Sequence, residues 1–200
     1  MTAQPRFRRY ASEVRARMLI EAGLACLARG GITVFTVDNV CREAGASRGL
    51  ITHHFGSKDA LLAAVFAAAY RPRLDHIGPG PDGHPLDLPT LIDRIFVAEK
   101  YTRETLNLWL AIWGETAANP AMQAEHRRNY DRYHATLNDA IAAWAAARGR
   151  VVLAGMLASA VIALADGFWL EQCIDPARLA PDEAKQACLA LLQPVLGPLA

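Results

Sequence analysis

Several residue patterns that mark enzymes, metal proteins and disulfide-bonded domains are absent from this chain of 200 residues. It contains no Walker-type phosphate-binding loop and no HExxH metal-binding pair. Its four cysteines, Cys26, Cys41, Cys173 and Cys188, form no CxxC pair, so neither a zinc site nor a disulfide framework is indicated. We therefore predict no catalytic residues, no metal and no cofactor, with the cysteines buried in a reducing compartment.

Long hydrophobic runs are also scarce. The longest uncharged stretch is Val151–Ala165, which has 15 residues, whereas a membrane-spanning helix needs about 20 apolar residues. Arginines near the N-terminus are followed by a segment that charged residues interrupt, unlike the apolar core of a signal peptide. We expect a cytoplasmic protein that does not bind a membrane.

Charge is nearly balanced over the whole chain but not along it. Residues 1–58 hold nine Lys or Arg against four Asp or Glu, a net charge of +5, and residues 59–200 hold twelve against sixteen, a net charge of −4. A basic first quarter is expected when only one end of a protein meets a polyanion. A solvated surface with unevenly distributed charge is the alternative interpretation.

Helical periodicity runs through almost the whole chain, and no segment shows the alternation of a strand. We predict an all-α fold, with the first helix running from a cap at Ser12 to a stop at Gly30-Gly31 and a Pro/Gly-rich loop at Gly78–Pro89. About nine helices are expected, at residues 12–30, 36–44, 47–55, 57–70, 88–100, 103–118, 120–148, 151–173 and 181–193.

The stretch Cys41–Leu61 switches twice between helix and turn chemistry. Thr36, Ser47 and Ser57 are each placed to cap a short helix, and Gly45 is placed to end one. Two short helices joined by a tight corner form a helix-turn-helix, whose second helix lies in the DNA major groove. The residues expected to face outward from that second helix are Arg48, Gly49, Thr52, His53 and His54.

Lys58 stands where a cation is unfavourable in a free helix. In the first turn it opposes the helix dipole at a cost of a few tenths of a kcal/mol, unless an anion such as a DNA phosphate binds there. His53 and His54 could be metal ligands, but adjacent helical side chains point about 100° apart. Contact with the backbone or phosphates is therefore the favoured interpretation of both histidines.

These residues resemble a known family. Thr36-Val-Asp-Asn-Val40, Ala44-Gly-Ala-Ser-Arg-Gly49, His54-Phe-Gly-Ser-Lys58 and Ala60-Leu-Leu62 are similar to the DNA-binding domain of TetR-family transcriptional regulators, across about residues 12–66. The resemblance implies a helix-turn-helix domain at 1–56 and a larger helical effector-binding and dimerisation domain at 57–200. It implies that Arg48 and Gly49 face bases and that the phosphate backbone is approached by Thr36, Ser47, Thr52, His53, His54 and Lys58.

Two later segments, Leu108–Met122 and Ala163–Gln172, are similar to the choline-responsive BetI-type repressors, a TetR subgroup. The resemblance implies choline or a related quaternary amine as effector. Trp109 and Trp113 lie one helical turn apart, and with Phe168 and Asp166 they could enclose a cation. Core packing explains the tryptophan pair equally well, and Asp166 could instead be hydrogen-bonded at a helix interface.

Small residues recur at every fourth position in the helix from Val151: Gly155, Ser159, Ala163 and Gly167. Apolar residues surround that strip, and a helix without a polar face must be covered on every side. We predict a homodimer in which this helix and the last helix, through Cys188 and Leu192, pair with their copies. A symmetric reader suits a palindromic DNA site.

The function predicted from these patterns is a ligand-responsive DNA-binding regulator, a repressor that a small molecule releases from its operator. A small all-helical enzyme is the second hypothesis, and turnover of a small molecule would support it. An architectural DNA-binding protein without a ligand is the third. Effector-dependent release from a defined palindrome would support the regulator.

Overall fold

The computed structural model describes residues 6–97, 101–178 and 180–199, with side chains from residue 12 onward except at Ala121. These ranges are predominantly helical and contain no strand, which confirms the predicted all-α class. Their nine α-helices are α1 Arg6–Gly30, α2 Val37–Ala44, α3 Arg48–Phe55, α4 Lys58–Ile77, α5 Leu88–Ile95, α6 Arg103–Ala118, α7 Pro120–Ala146, α8 Ala154–Ile174 and α9 Pro181–Leu196, with a 3-10 turn at Gly31–Thr33.

Three helices run beyond their predicted ends. Helix α1 begins at Arg6 rather than at the predicted cap Ser12, because no helix-breaking residue stands between them. Helix α4 continues past the predicted end at Tyr70 and through Pro72, and α9 continues through Pro194. Proline removes one helical hydrogen bond but does not stop either helix here.

Three other helices are shorter than predicted. Helix α5 ends at Ile95, while its predicted end lies outside the described residues. Helix α7 ends at Ala146, just before the left-handed Gly149 at φ 64°. Helix α8 starts at Ala154 instead of residue 151. The errors are confined to helix ends, where sequence signals are weakest.

The chain divides into two compact units. The first comprises Met1–Arg71 and Arg103–Gln123, and the second comprises Pro72–Thr102 and Ala124–Ala200. Helix α6 lies in the same compact unit as α2 and α3. The predicted boundary between residues 56 and 57 stays a prediction.

In the first unit α1 packs mainly against α6 and α2 and approaches α4 closely at Gly23. A Cβ atom added at Gly23 would lie 2.5 Å from Val65 Cγ2 and 3.0 Å from Phe35 Cε2, so glycine permits this approach. Helix α6 is attached to α1 by a hydrogen bond that Asn107 Nδ2 donates to the Ala28 carbonyl at 2.9 Å. The core of this unit includes Leu19, Leu27, Phe35, Val40, Leu61, Val65 and Ile112.

The second unit is a bundle of α5, α7, α8 and α9. Lys185 Nζ lies 2.6 Å from Asp93 Oδ1, joining α9 to α5. His134 Nε2 lies 2.9 Å from the Gly155 carbonyl, joining α7 to α8. The core of the bundle includes Leu91, Ile92, Leu137, Ile141, Val161, Ile162, Cys188 and Leu192.

One side of this bundle exposes an apolar face. By length and composition alone α8 could span a membrane, with a third of its most apolar window buried. Met156 on α8 is 68% exposed and Leu191 on α9 is 59% exposed. Single exposed apolar side chains are ordinary, whereas several of them together mark an interaction surface. We call this surface the α8–α9 face, defined by Met156, Ser159, Ala160, Ala163, Gly167, Leu191 and Val195.

The loop between α4 and α5 contains Gly78, Gly80 and Gly83, which match the spacing of a dinucleotide-binding GxGxxG turn. That turn joins a strand to a helix. Here the loop joins two helices, and the described residues contain no strand. The three glycines are therefore part of a turn between two helices, in which Gly83 adopts a left-handed φ of 78°.

Candidate nucleic-acid interface and effector site

The corner between α2 and α3 follows the signals in the sequence. The Thr36 hydroxyl accepts a hydrogen bond from the Asn39 N–H at 3.2 Å and so caps α2. Gly45 ends α2 in the left-handed conformation at φ 59°, which suits glycine. Ser57 caps α4 by accepting from the Ala60 N–H at 3.0 Å. Ser47 occupies the cap position of α3, but its side chain makes no capping bond, contrary to expectation.

Arg48, the first residue of α3, projects from this corner. Its Nη2 lies 2.6 Å from Asp38 Oδ1 in the first turn of α2, and the two side chains are 74% and 55% exposed. Gly49 and Thr52 are also exposed. A guanidinium held at the start of an exposed helix is suited to hydrogen-bond a base edge. Asp38 is a partner of Arg48 that the sequence alone did not reveal.

The two histidines of α3 have different surroundings. His53 is exposed, whereas His54 is partly buried, and its Nε2 has no hydrogen-bond partner among the described residues. Their rings meet edge to face with centroids 4.9 Å apart. Burial lowers the pKa of His54, and the nearby His53 and Arg15 lower it further. His54 is therefore neutral near pH 7 and supplies no positive charge to a phosphate.

Lys58 opens α4, as the sequence indicated. Its side chain is exposed, and Nζ lies 5.8 Å from the centroid of the Phe35 ring. As the first residue of α4, Lys58 carries a positive charge in the turn where a cation opposes the helix dipole. An anion received at this point would interact with the lysine and with the first N–H groups of α4 together.

Ser47 also stands at the centre of Gly45-Ala46-Ser47-Arg48-Gly49, which has the GxSxG spacing of a hydrolase nucleophile elbow. That elbow joins a strand to a helix and needs a histidine base beside the serine. Here the serine lies between two helices. The spacing therefore belongs to the helix-turn-helix corner.

Two of the predicted effector residues lie in the first unit. Trp109 is buried, and its ring meets Tyr70 edge to face with centroids 4.9 Å apart. Trp113 is partly buried, 6.2 Å from Trp109 between centroids and inclined to it by 39°. The Trp109 and Trp113 rings are close enough to contact the same small molecule. They are also packed as core side chains.

The other two predicted effector residues, Phe168 and Asp166, lie in the second unit. Phe168 packs against the core of the bundle. Asp166 Oδ1 accepts a hydrogen bond from Arg73 Nη2 at 2.8 Å, and the Arg73 guanidinium lies over the Tyr133 ring, 4.7 Å from its centroid. The sequence alone did not reveal Arg73 as the partner of Asp166, because 93 residues separate the two.

Electrostatics hold Arg73 charged in this position. Burial by itself would lower the pKa of Arg73, but the charge of Asp166 and the Tyr133 hydroxyl more than offset it, so the pKa is raised. Burial raises the pKa of Tyr133. Burial and the charge of Arg73 lower the pKa of His126, against the opposing effect of Asp166. The Arg73 guanidinium therefore stays charged beside Asp166.

Comparison with known proteins identifies the family. Residues 19–65 match the family of bacterial regulatory proteins described as tetR, and residues 87–197, more than half of the chain, match the BetI-type transcriptional repressor C-terminal family. The chain belongs to the TetR family. Both resemblances read from the sequence are confirmed, and the family is one of transcriptional regulators, not of enzymes.

Similar proteins cover most of this TetR-family chain. The HTH-type transcriptional regulator BetI of Paraburkholderia xenovorans is 30% identical over 171 residues, covering 79% of this chain and 81% of that protein. A putative transcriptional regulator from Pseudomonas aeruginosa PAO1 has a TM-score of 0.80 and 34% identity, with 94% and 93% of the two chains covered. A putative regulator from Saccharomonospora viridis, solved in complex with choline, has a TM-score of 0.73 and 23% identity, with 91% and 96% covered. That last likeness shows the fold alone.

The predicted dimerisation residues of this TetR-family protein fall into two groups. Ser159, Ala163 and Gly167 are exposed on the α8–α9 face, with the partly buried Gly155 at its edge. Cys188 and Leu192 are buried in the core of their own bundle, so their assignment to a partner contact is revised. Helix α9 instead exposes Leu191 and Val195.

Proposed function

We propose that this TetR-family protein is a repressor that binds a palindromic operator as a dimer and is released from it by a small-molecule effector. The observation that carries this proposal is the exposed outer surface of α3, which begins with Arg48 and Gly49 after a left-handed turn at Gly45. A helix presented in this way suits the major groove. The family to which the chain belongs regulates transcription.

The DNA-contacting residues have separate roles in this proposal. Arg48 reads a base, and Gly49 lets the helix approach the base edges closely. Thr36, Ser47, Thr52, His53 and Lys58 approach phosphates, and all five are exposed. His54 contributes to the shape of the DNA-contacting surface but adds no positive charge, because it is partly buried and neutral.

The dimer in this proposal forms through the α8–α9 face. This face exposes large apolar side chains in a single protomer, which supports its burial against a second copy. The same burial would cover α8, the one helix of the described ranges long and apolar enough to resemble a membrane span. A paired α8 is consistent with a cytoplasmic protein.

The effector in this proposal is choline or a related quaternary amine. Support comes from the match of residues 87–197 to the BetI-type C-terminal family, and from choline bound to a protein of the same fold. Phe168 and Asp166 of the second unit are proposed to contact it, and an effector contact by Trp109 and Trp113 of the first unit stays a prediction. Helix α4 would carry the response, because its residues belong to both units.

Footprinting on the DNA that flanks the coding region tests this function. We expect protection of a palindrome by the purified protein and loss of that protection when the effector is added. Protection that no small molecule changes would favour an architectural protein without a ligand. Absence of any protected palindrome would refute the repressor.

A further inference from the structure

Helix α1 lies outside the helix-turn-helix pair, but it contacts α3 and belongs to the same compact unit. Its buried side carries Leu19, Ala22 and Cys26, whose side chains are at most 5% exposed. Arg15 is exposed and lies one helical turn before Leu19 on that same side, because residues four positions apart in a helix share a face. The side of α1 that packs on its neighbours therefore changes from apolar to cationic at Arg15.

Arg15 lies close to the last turn of α3. Burial lowers the pKa of His54, and the nearby His53 and Arg15 lower it further. An exposed charge acts over little more than about 10 Å in salt solution, which agrees with the packing of α1 against α3. Lys58 follows His54 along the chain and opens α4. Arg15 and Lys58 therefore lie toward the same end of α3, whereas Arg48 lies at the other end.

Three arginines of the first unit are paired with carboxylates: Arg17 with Glu21, Arg29 with Glu43 and Arg48 with Asp38. Arg15 forms no ion pair with any carboxylate among the described residues. The net charge of +5 in residues 1–58 is therefore carried by cations outside these pairs, of which Arg15 is one. An arginine without a carboxylate partner, beside a surface that binds DNA, is available to a phosphate.

We propose that Arg15 binds a DNA phosphate, so that α1 adds a backbone contact beside the one assigned to Lys58. A guanidinium suits this partner because it can donate two parallel hydrogen bonds to phosphate oxygens. A phosphate contact carries no base preference, so Arg15 strengthens binding to every sequence and selects none. This contact rests on the proposed function and extends its DNA-binding surface beyond the helix-turn-helix.

The salt dependence of binding to a DNA duplex of arbitrary sequence tests this contact. Fluorescence anisotropy of the full-length protein at several salt concentrations gives the slope of log affinity against log salt concentration. Arg15→Gln should make this slope shallower by about 0.9 per protomer, because each phosphate contact releases condensed counterions. Arg15→Lys keeps the positive charge and should leave the slope as it is in the unmodified protein.

Arg17→Gln is the matched control on the same helix. Arg17 is also exposed, but two positions along a helix turn the side chain by about 200°, and Arg17 is paired with Glu21. This variant should keep the slope of the unmodified protein. An unchanged slope in Arg15→Gln, or an equal reduction in both variants, would overturn the proposal.

Combination with Lys58→Ala decides whether Arg15 has a phosphate of its own. If the two cations bind different phosphates, the slope of the double variant should be shallower by about 1.8 per protomer, the sum of the two single changes. A double variant with the same slope as Lys58→Ala alone would show that Arg15 makes no separate contact, and the proposal would then be wrong.

The duplex of arbitrary sequence keeps this test separate from the repressor function. A shallower slope in Arg15→Gln without any protected palindrome would support the Arg15 contact and refute the repressor. A protected palindrome together with an unchanged slope in Arg15→Gln would refute the contact and leave the repressor intact.

Discussion

Replacing Arg48 tests how the corner of the helix-turn-helix reads a base. In the free protein Arg48 is held by Asp38 at 2.6 Å, with both side chains more than half exposed. Such an exposed pair contributes about 0.2–1 kcal/mol, whereas a bidentate contact from arginine to guanine contributes about 1–3 kcal/mol. Because the base contact is the larger, Arg48 can leave Asp38 when DNA binds.

The expected loss of binding free energy for Arg48→Ala equals the free energy of the base contact minus that of the Arg48–Asp38 ion pair, which is broken when DNA binds. We expect a loss of about 1–2 kcal/mol on the cognate operator, roughly five- to thirtyfold in affinity. In the Asp38→Asn background no ion pair is given up, so the same change should cost up to about 1 kcal/mol more. Asp38→Asn alone should tighten binding to the cognate operator by up to about fivefold, since the ion pair no longer has to be broken.

Fluorescence anisotropy at one fixed salt concentration measures these effects on the operator and on its single base-pair variants. Arg42→Ala is the matched control, because Arg42 is an exposed arginine of α2 whose guanidinium bonds Asn39. It should change affinity without changing the preferred base. Equal weakening of all base-pair variants by Arg48→Ala, or weaker binding by Asp38→Asn, would contradict a base contact by Arg48.

Three further outcomes are expected. Lys58→Ala should weaken binding to all DNA sequences and reduce the salt slope by about 0.9 per protomer, as seen in anisotropy at several salt concentrations; Arg127→Ala, an exposed charge of the second unit, should leave the slope unchanged. Ala163→Arg on the α8–α9 face should shift the protein toward monomer in analytical ultracentrifugation, and an unchanged dimer would contradict the proposed interface. Thr36→Ala should lower the free energy of unfolding by about 1 kcal/mol in urea melts. Ser47→Ala should lower it by clearly less, because Ser47 makes no capping bond. Equal losses would show that capping does not distinguish the two residues.

Local signals predicted the helix-turn-helix well. The left-handed turn at Gly45 and the caps at Thr36 and Ser57 each depend on residues within a few positions of one another. Such short-range signals can be recognised in a single sequence. The length and outer face of α3 follow from it.

Contacts between distant segments were not predictable in the same way. The placement of α6 with α1 depends on a bond from Asn107 to Ala28, and the neutralisation of Asp166 depends on Arg73, 93 residues away. Periodicity identifies the apolar side of a helix but not the helix that covers it. For this reason Cys188 and Leu192 were assigned to a partner surface, whereas they fill the core of their own bundle.

Pro72 gives α4 an uneven stiffness along its length. Helix α4 passes from the first compact unit to the second at this residue, with Arg71 the last member of one and Pro72 the first of the other. Because proline has no N–H, the carbonyl of Ala68 receives no helical hydrogen bond from it. The backbone is therefore continuous at the junction while its hydrogen-bond ladder is interrupted there. A small bend at this position costs less than it would anywhere else in the helix interior, so the most compliant point of α4 coincides with the point where the two units meet along the chain.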